Sequence, residues 1–173
     1  GTIYYSNTAP GTITIGILTT DNAIAPSSTS LNDNIVNIYS TSSPSDVRSV
    51  YGGYSDTGNV EKNTVNIYGG TIQNVHGGSG SYLVNLNTVN IYGGTISGNI
   101  YGGESSYSGS ATNNTVNISG GAIQYNIYGG NSTSGSSDSN TVNIYDGTIN
   151  GRIYGGFSYS GSGLVTNNTV NIS

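Results

Sequence analysis

The sequence predicts an all-β chain, a right-handed parallel β-helix or β-solenoid of about 5–6 triangular coils of roughly 26 residues each. Three observations carry this. The first is a period. The valine of a recurring Thr-Val-Asn-like unit stands at Val36, Val65, Val89, Val116, Val142 and Val170, at intervals of 29, 24, 27, 26 and 28 residues. Self-similarity in that range marks stacked units rather than one globule. The second is alternation inside the unit. In Asn140-Thr141-Val142-Asn143-Ile144-Tyr145, Val142 and Ile144 share one face of a strand, and Thr141, Asn143 and Tyr145 share the other. The third is composition: 28 Gly, 15 Tyr, one Phe, no Cys, Met or Trp, and only 6% charged residues. Helix formers are scarce, while Val, Ile, Thr and Tyr abound.

Residues 1–33 precede the clean repeats. Thr12-Ile13-Thr14-Ile15 alternates and reads as a strand. Pro10, Pro26 and the serine-rich stretch 27–30 read as breaks. An irregular amino-terminal coil or cap is therefore expected over 1–33, with solenoid repeats over 34–173 as a segment of a longer array. Within each repeat a second landmark follows, as Tyr51-Gly52-Gly53, Tyr101-Gly102-Gly103, Tyr128-Gly129-Gly130 and Tyr154-Gly155-Gly156, with His76-Gly77-Gly78 standing in once. Between the landmarks lies a short segment: Thr71-Ile72, Thr95-Ile96, Ala122-Ile123 or Thr148-Ile149. The first repeat departs over 40–46. Each unit thus holds three strand candidates, closed by a Ser/Gly/Tyr-rich loop such as 104–113 or 131–139, where most length variation falls.

One coil offers about four inward apolar side chains, here Val142, Ile144, Ile149 and Ile153, too few to offset the entropy of ordering the chain. Coils stacked ~4.8 Å apart put Val on Val and Ile on Ile and merge these into one core, giving a rod of roughly 25–30 Å. Parallel crossovers set the expected hand. Glycine suits corners that need positive φ. Asn63, Asn87, Asn114, Asn140 and Asn168 form a column just before Thr. Alternation turns them inward at a corner, where stacked amides bond to one another and to turn backbone.

A net charge of −5 with three cationic side chains, Arg48, Lys62 and Arg152, offers no phosphate-neutralising patch, so nucleic acid is not an expected partner. No apolar run approaches the ~20 residues of a membrane span, so direct insertion of this segment is not expected either. Gly1 is not followed by a basic and then apolar stretch, so no signal peptide is read here.

Outward Thr and Asn columns (Thr64, Thr88, Thr115, Thr141, Thr169; Asn66, Asn90, Asn117, Asn143, Asn171) raise ice binding as an alternative, although plain strand preference accounts for them. The ring column Tyr51, His76, Tyr101, Tyr128 and Tyr154 suits either stacking or contact with a glycan or protein. Loop tyrosines Tyr54, Tyr82, Tyr107 and Tyr159 break the strict repeat and are the better contact candidates, beside Tyr101, Tyr128 and Tyr154. His76 reads as a substitution in the ring column, and Asp146 replaces a turn glycine. The acids recur at no fixed repeat position, and no Gly-Gly-x-Gly-x-Asp calcium repeat is present, so no metal or cofactor is expected. A polysaccharide-active enzyme is the other alternative. Glycoside cleavage needs two positioned carboxylates, and no two acids share an outward face in adjacent coils, so catalysis is not expected.

The pattern Asn-Thr-Val-Asn-Ile-Tyr-Gly-Gly-Thr-Ile…Ile-Tyr-Gly-Gly, over about residues 34–173, resembles repeats in passenger domains of bacterial surface proteins of the autotransporter adhesin type. The resemblance implies export across two membranes and a right-handed β-helical stalk. It also implies adhesion or self-association at the cell surface, through a glycan or surface-protein receptor, with tethering at the outer membrane in the full-length protein.

Overall fold

The computed structural model describes residues 2–5, 11–15, 23–26, 32–41, 47–160 and 163–173. The breaks expected at Pro10 and over 27–30, and most of the irregular first turn over 40–46, lie outside the described residues. The described residues form strands and no helix, and every strand pairing is parallel. The fold is a β-solenoid of about five turns of roughly 26 residues.

Each turn contributes to ladders that run along the stack. The first ladder joins Thr12–Ile15, Ile35–Ile38, Thr64–Ile67 and Thr88–Ile91, then continues into Thr115–Ile123, Thr141–Ile149 and Thr169–Ile172. Its register sets Val36, Val65, Val89, Val116, Val142 and Val170 opposite one another. The second aligns Val47, Ile72, Ile96, Ile123 and Ile149. The third aligns Ile24, Val50, Val75, Ile100, Ile127 and Ile153. The described parts of residues 1–33 join this stack: Thr12–Ile15 pairs with Ile35–Ile38, and Thr2–Tyr5 pairs with Ala23–Pro26.

The core follows from this register. Val36, Ile38, Val65, Ile67, Ile72, Val75, Val89, Ile91, Ile96, Ile100, Val116, Ile118, Ile123 and Ile127 are fully buried in one cluster. Each such side chain contributes ~1.5–3 kcal/mol. Ile149 and Ile153 pack against it only partly buried, and in the last coil Val170 and Ile172 are exposed.

Two features go beyond three strands and a loop. First, the closing segment contains a fourth ladder of two-residue strands: Val60–Glu61, Val84–Asn85, Ala111–Thr112, Ser137–Asp138 and Val165–Thr166. Val60, Val84, Ala111 and Ser137 are fully buried there, so only the middle of each loop projects. Second, the corner into the asparagine column is turned by non-glycine residues. Asp33, Lys62, Leu86, Asn113, Ser139 and Asn167 all have φ between 53° and 60°. Among the described residues glycine takes positive φ only at the other corner, at Gly70, Gly94, Gly121 and Gly147. At Asp146, which stands where other coils have glycine, the strand register shifts by a bulge.

The corner asparagines form a continuous amide ladder. Asn34, Asn63, Asn87, Asn114 and Asn140 are fully buried. Asn63 Nδ2 donates to Asn87 Oδ1, Asn87 Nδ2 to Asn114 Oδ1, and Asn114 Nδ2 to Asn140 Oδ1, each at 3.0 Å. Each Oδ1 also accepts the main-chain N–H of the asparagine one coil before, and the amides of Asn87, Asn114 and Asn140 donate to Val60, Val84 and Ala111 carbonyls. From Asn63 to Asn140 each buried corner amide is thus hydrogen-bonded to the coils on either side.

Candidate functional site

The third ladder spaces its rings by the strand separation of ~4.8 Å, which is close to a stacking distance. Tyr51, His76, Tyr101, Tyr128 and Tyr154 therefore stack in one column with centroids 4.4, 4.8, 5.1 and 5.0 Å apart. All but His76, which is buried, are half-buried. Asn99 Nδ2 donates to the Tyr101 hydroxyl at 3.0 Å and Asn126 Nδ2 to that of Tyr128 at 3.1 Å. The faces of Tyr101, Tyr128 and Tyr154 are thus turned to their neighbours, leaving edges and hydroxyl tips to meet a partner.

His76 marks a polar spot in this column. Its Nδ1 lies 3.1 Å from Glu104 Oε2, and Asn131 Nδ2 donates to Glu104 Oε1 at 3.4 Å. Burial alone would push the Glu104 carboxyl up, but the hydrogen bond and charge of His76, with Asn131 and Ser79, hold it below its ordinary value. Burial pushes the neighbouring Tyr101 hydroxyl up, and the Glu104 charge adds to that. Among the described residues no three His, Cys, Asp or Glu side chains converge as metal ligands.

On the outward face of the first ladder, Asn37, Asn66, Asn90, Asn117, Asn143 and Asn171 hydrogen-bond in series at 2.7–2.8 Å. Beside them, Tyr39, Tyr68 and Tyr92 stack at 4.6 and 4.9 Å. The Thr64, Thr88, Thr115 and Thr141 side chains between coils are half-buried.

The loop tyrosines fall into two places. Tyr54 packs edge-on against Tyr51 at 5.6 Å and donates to Asp56 Oδ1 at 2.8 Å. Asp56 in turn lines an open cleft of about 470 Å³ with Ser81, Tyr82, Tyr107 and Ser108. Tyr54, Tyr82 and Tyr107 are thereby gathered around one site. Tyr159 stands apart, 81% exposed and edge-on to Phe157 at 6.4 Å.

Serines fix these loops to the coil. Ser55 Oγ accepts from the N–H of Thr57 and Gly58, Ser105 Oγ donates to the Tyr82 carbonyl, and Ser132 Oγ donates to that of Gly109. The loop over 106–110 has two residues more than that over 81–83, between strands that pair in register on either side. The extra length carries Tyr107 outward, and Gly109 returns the chain directly onto the Tyr82 backbone, where a Cβ would collide.

The cleft's two aromatic walls stand out in the sequence as breaks in the repeat, whereas Asp56, Ser81 and Ser108, and Glu104 beside His76, do not. Asp56 and Ser108 carry no periodic signal. The serines at 55, 105, 132 and 158 do recur, two residues after the second glycine of the Gly-Gly landmark, and that repetition could have identified the staples. Compared with family models, curated proteins and solved structures, the chain matches none.

Proposed function

We propose that this chain is a structural and adhesive segment of an exported bacterial surface protein, tethered at the outer membrane in the full-length molecule. Its Ser/Gly/Tyr loops and tyrosine rows meet a glycan or a surface protein on another cell, or a second copy of the same surface.

The observation that carries this reading is aromatic exposure on a rigid support. Tyr82 and Tyr107 are 55% and 67% exposed, on loops whose backbones are hydrogen-bonded to neighbouring coils. Tyr presents an apolar ring and a polar tip at small conformational cost, which suits recognition. The stack beneath has its buried polar column satisfied coil by coil, as a load-carrying stalk requires. The surface has few cations, consistent with a receptor that is neither nucleic acid nor an anionic membrane.

A glycan array combined with a cell-aggregation assay on the chain tests the proposal. Binding to a restricted set of glycans, or aggregation of cells or beads that display the chain, supports it. Silence in both assays would reduce the role to a stalk.

A further inference from the structure

We propose that the cleft between Tyr82 and Tyr107 is a subsite for one neutral pyranose ring of a glycan, walled by the two tyrosines and oriented by Asp56, Ser81 and Ser108. The inference rests on the adhesive reading above and narrows it to one site and one ligand class.

In both ring columns, tyrosines of consecutive coils stack within about 5 Å. Tyr82 and Tyr107 also belong to consecutive coils, yet neither ring contacts another aromatic ring among the described residues, and neither hydroxyl has a hydrogen-bond partner there. The longer 106–110 loop separates them, and the space left is the cleft of about 470 Å³. That volume falls within the ~300–1,000 Å³ common for small-molecule sites.

Its chemistry is that of a hydroxylated, uncharged ring. Two exposed aromatic walls can cover the C–H faces of a pyranose. Asp56 Oδ1 is held by the Tyr54 hydroxyl at 2.8 Å, which leaves Oδ2 to accept sugar hydroxyls, and Ser81 and Ser108 offer hydroxyls that donate or accept. None of the chain's cations, Arg48, Lys62 or Arg152, lines the cleft. A uronate or other acidic sugar would meet the Asp56 carboxylate with no counter-charge, so the site discriminates against it.

The walls are already in place before any ligand arrives. Ser81 N–H donates to the Ser55 carbonyl at 3.1 Å, Ser106 N–H to that of Gly80 at 2.8 Å, and Ser134 N–H to that of Tyr107 at 3.1 Å. With the Ser55 and Ser105 hydroxyl bonds, these fix the backbones of 55–58, 81–82 and 105–107, so little ordering entropy opposes binding.

Saturation-transfer NMR and titration of the whole chain with methyl glucoside, galactoside, mannoside and N-acetylglucosaminide, and with methyl glucuronide, test the subsite. At least one neutral glycoside is expected to bind, weakly as single sugars do, and the glucuronide not to. Tyr82→Ala and Tyr107→Ala should each weaken binding about tenfold or more, and Asp56→Asn should weaken it while admitting the glucuronide. Circular dichroism melts confirm that each variant is folded. Binding that survives both tyrosine changes, equal binding of the glucuronide to the unaltered chain, or no neutral glycoside bound would overturn the subsite. If the chain aggregates cells and the Tyr82/Tyr107 double variant does so equally, the subsite fails while adhesion stands. If no cell or array binding is found but a neutral glycoside still occupies the cleft, adhesion fails and the subsite stands.

Discussion

Replacing Asn114 by alanine removes four hydrogen bonds from the centre of the amide ladder. Asn114 Oδ1 accepts from both the main-chain N–H and Nδ2 of Asn87, and Asn114 Nδ2 donates to the Val84 carbonyl and to Asn140 Oδ1, all near 3.0 Å. At about 1 kcal/mol net for each bond, the loss is roughly 4 kcal/mol. The buried Asn87 N–H is left without its acceptor, which adds about 1–3 kcal/mol. Asn87 Nδ2 keeps the Val60 carbonyl, so it is not stranded. The sum, roughly 5–7 kcal/mol, corresponds in a chain of this size to a fall of about 10–28 °C in Tm. The matched control is Asn117→Ala on the outward ladder, which removes two bonds at 2.8 Å from a half-exposed side chain. Water replaces those partners, so the expected loss is within about 1 kcal/mol. Urea unfolding followed by circular dichroism measures both, and amide exchange reports whether opening is centred on the Asn114 coil. A loss under about 1 kcal/mol for Asn114→Ala, or equal losses for the two variants, would refute the account of the corner.

Three further outcomes follow from the same geometry. Leu86 sits at φ 58°, where a branched side chain is strained by about 1–2 kcal/mol, so Leu86→Gly should raise the urea midpoint despite its greater unfolded-state freedom. Gly78→Ala should lower stability by about 1–3 kcal/mol, because the new Cβ would lie 2.6 Å from Asn87 Nδ2 and 2.7 Å from its Cγ; thermal melts decide the sign. The Glu104 carboxyl is held below its unfolded value, so its stabilisation is present above the ordinary Glu range near ~4.3 and is lost as pH falls through the depressed folded value; Glu104→Gln should be less stable at neutral pH and should flatten the acid limb of a pH–stability profile.

The scaffold was legible because it repeats. Val89 and Ile91 share a face by alternation, and the same pair returns in each coil, so inward columns and their parallel register could be read without coordinates. The corner asparagines were legible from their fixed place before Thr. Asn34 lacks that mark because Ile35 follows it instead of Thr, although it joins the same ladder. The fourth ladder was hidden for a different reason. Two-residue strands with Ala111 or Ser137 at the buried position leave no apolar period to detect. Positive φ at Lys62, Leu86 and Ser139 was equally silent, since no glycine marks it and the conformation is imposed by the amide ladder that follows. The cleft was only half legible. Tyr82 and Tyr107 stood out as breaks in the repeat, but their convergence with Asp56 depends on the extra length of one loop and on the return of Gly109 over Tyr82. That is a tertiary fact.

The central claim is that the apolar and asparagine columns hold the coil and that the loop tyrosines make the principal contacts. Adhesion and Tm measured together on two variants test it most directly: a loop variant, Tyr82→Ser with Tyr107→Ser, and a column variant, Asn114→Ala. The account predicts that the loop variant loses glycan or cell binding with its Tm unchanged, and that the column variant loses Tm yet binds normally at temperatures where it remains folded. Full binding by the loop variant, or loss of binding by the folded column variant, would contradict it.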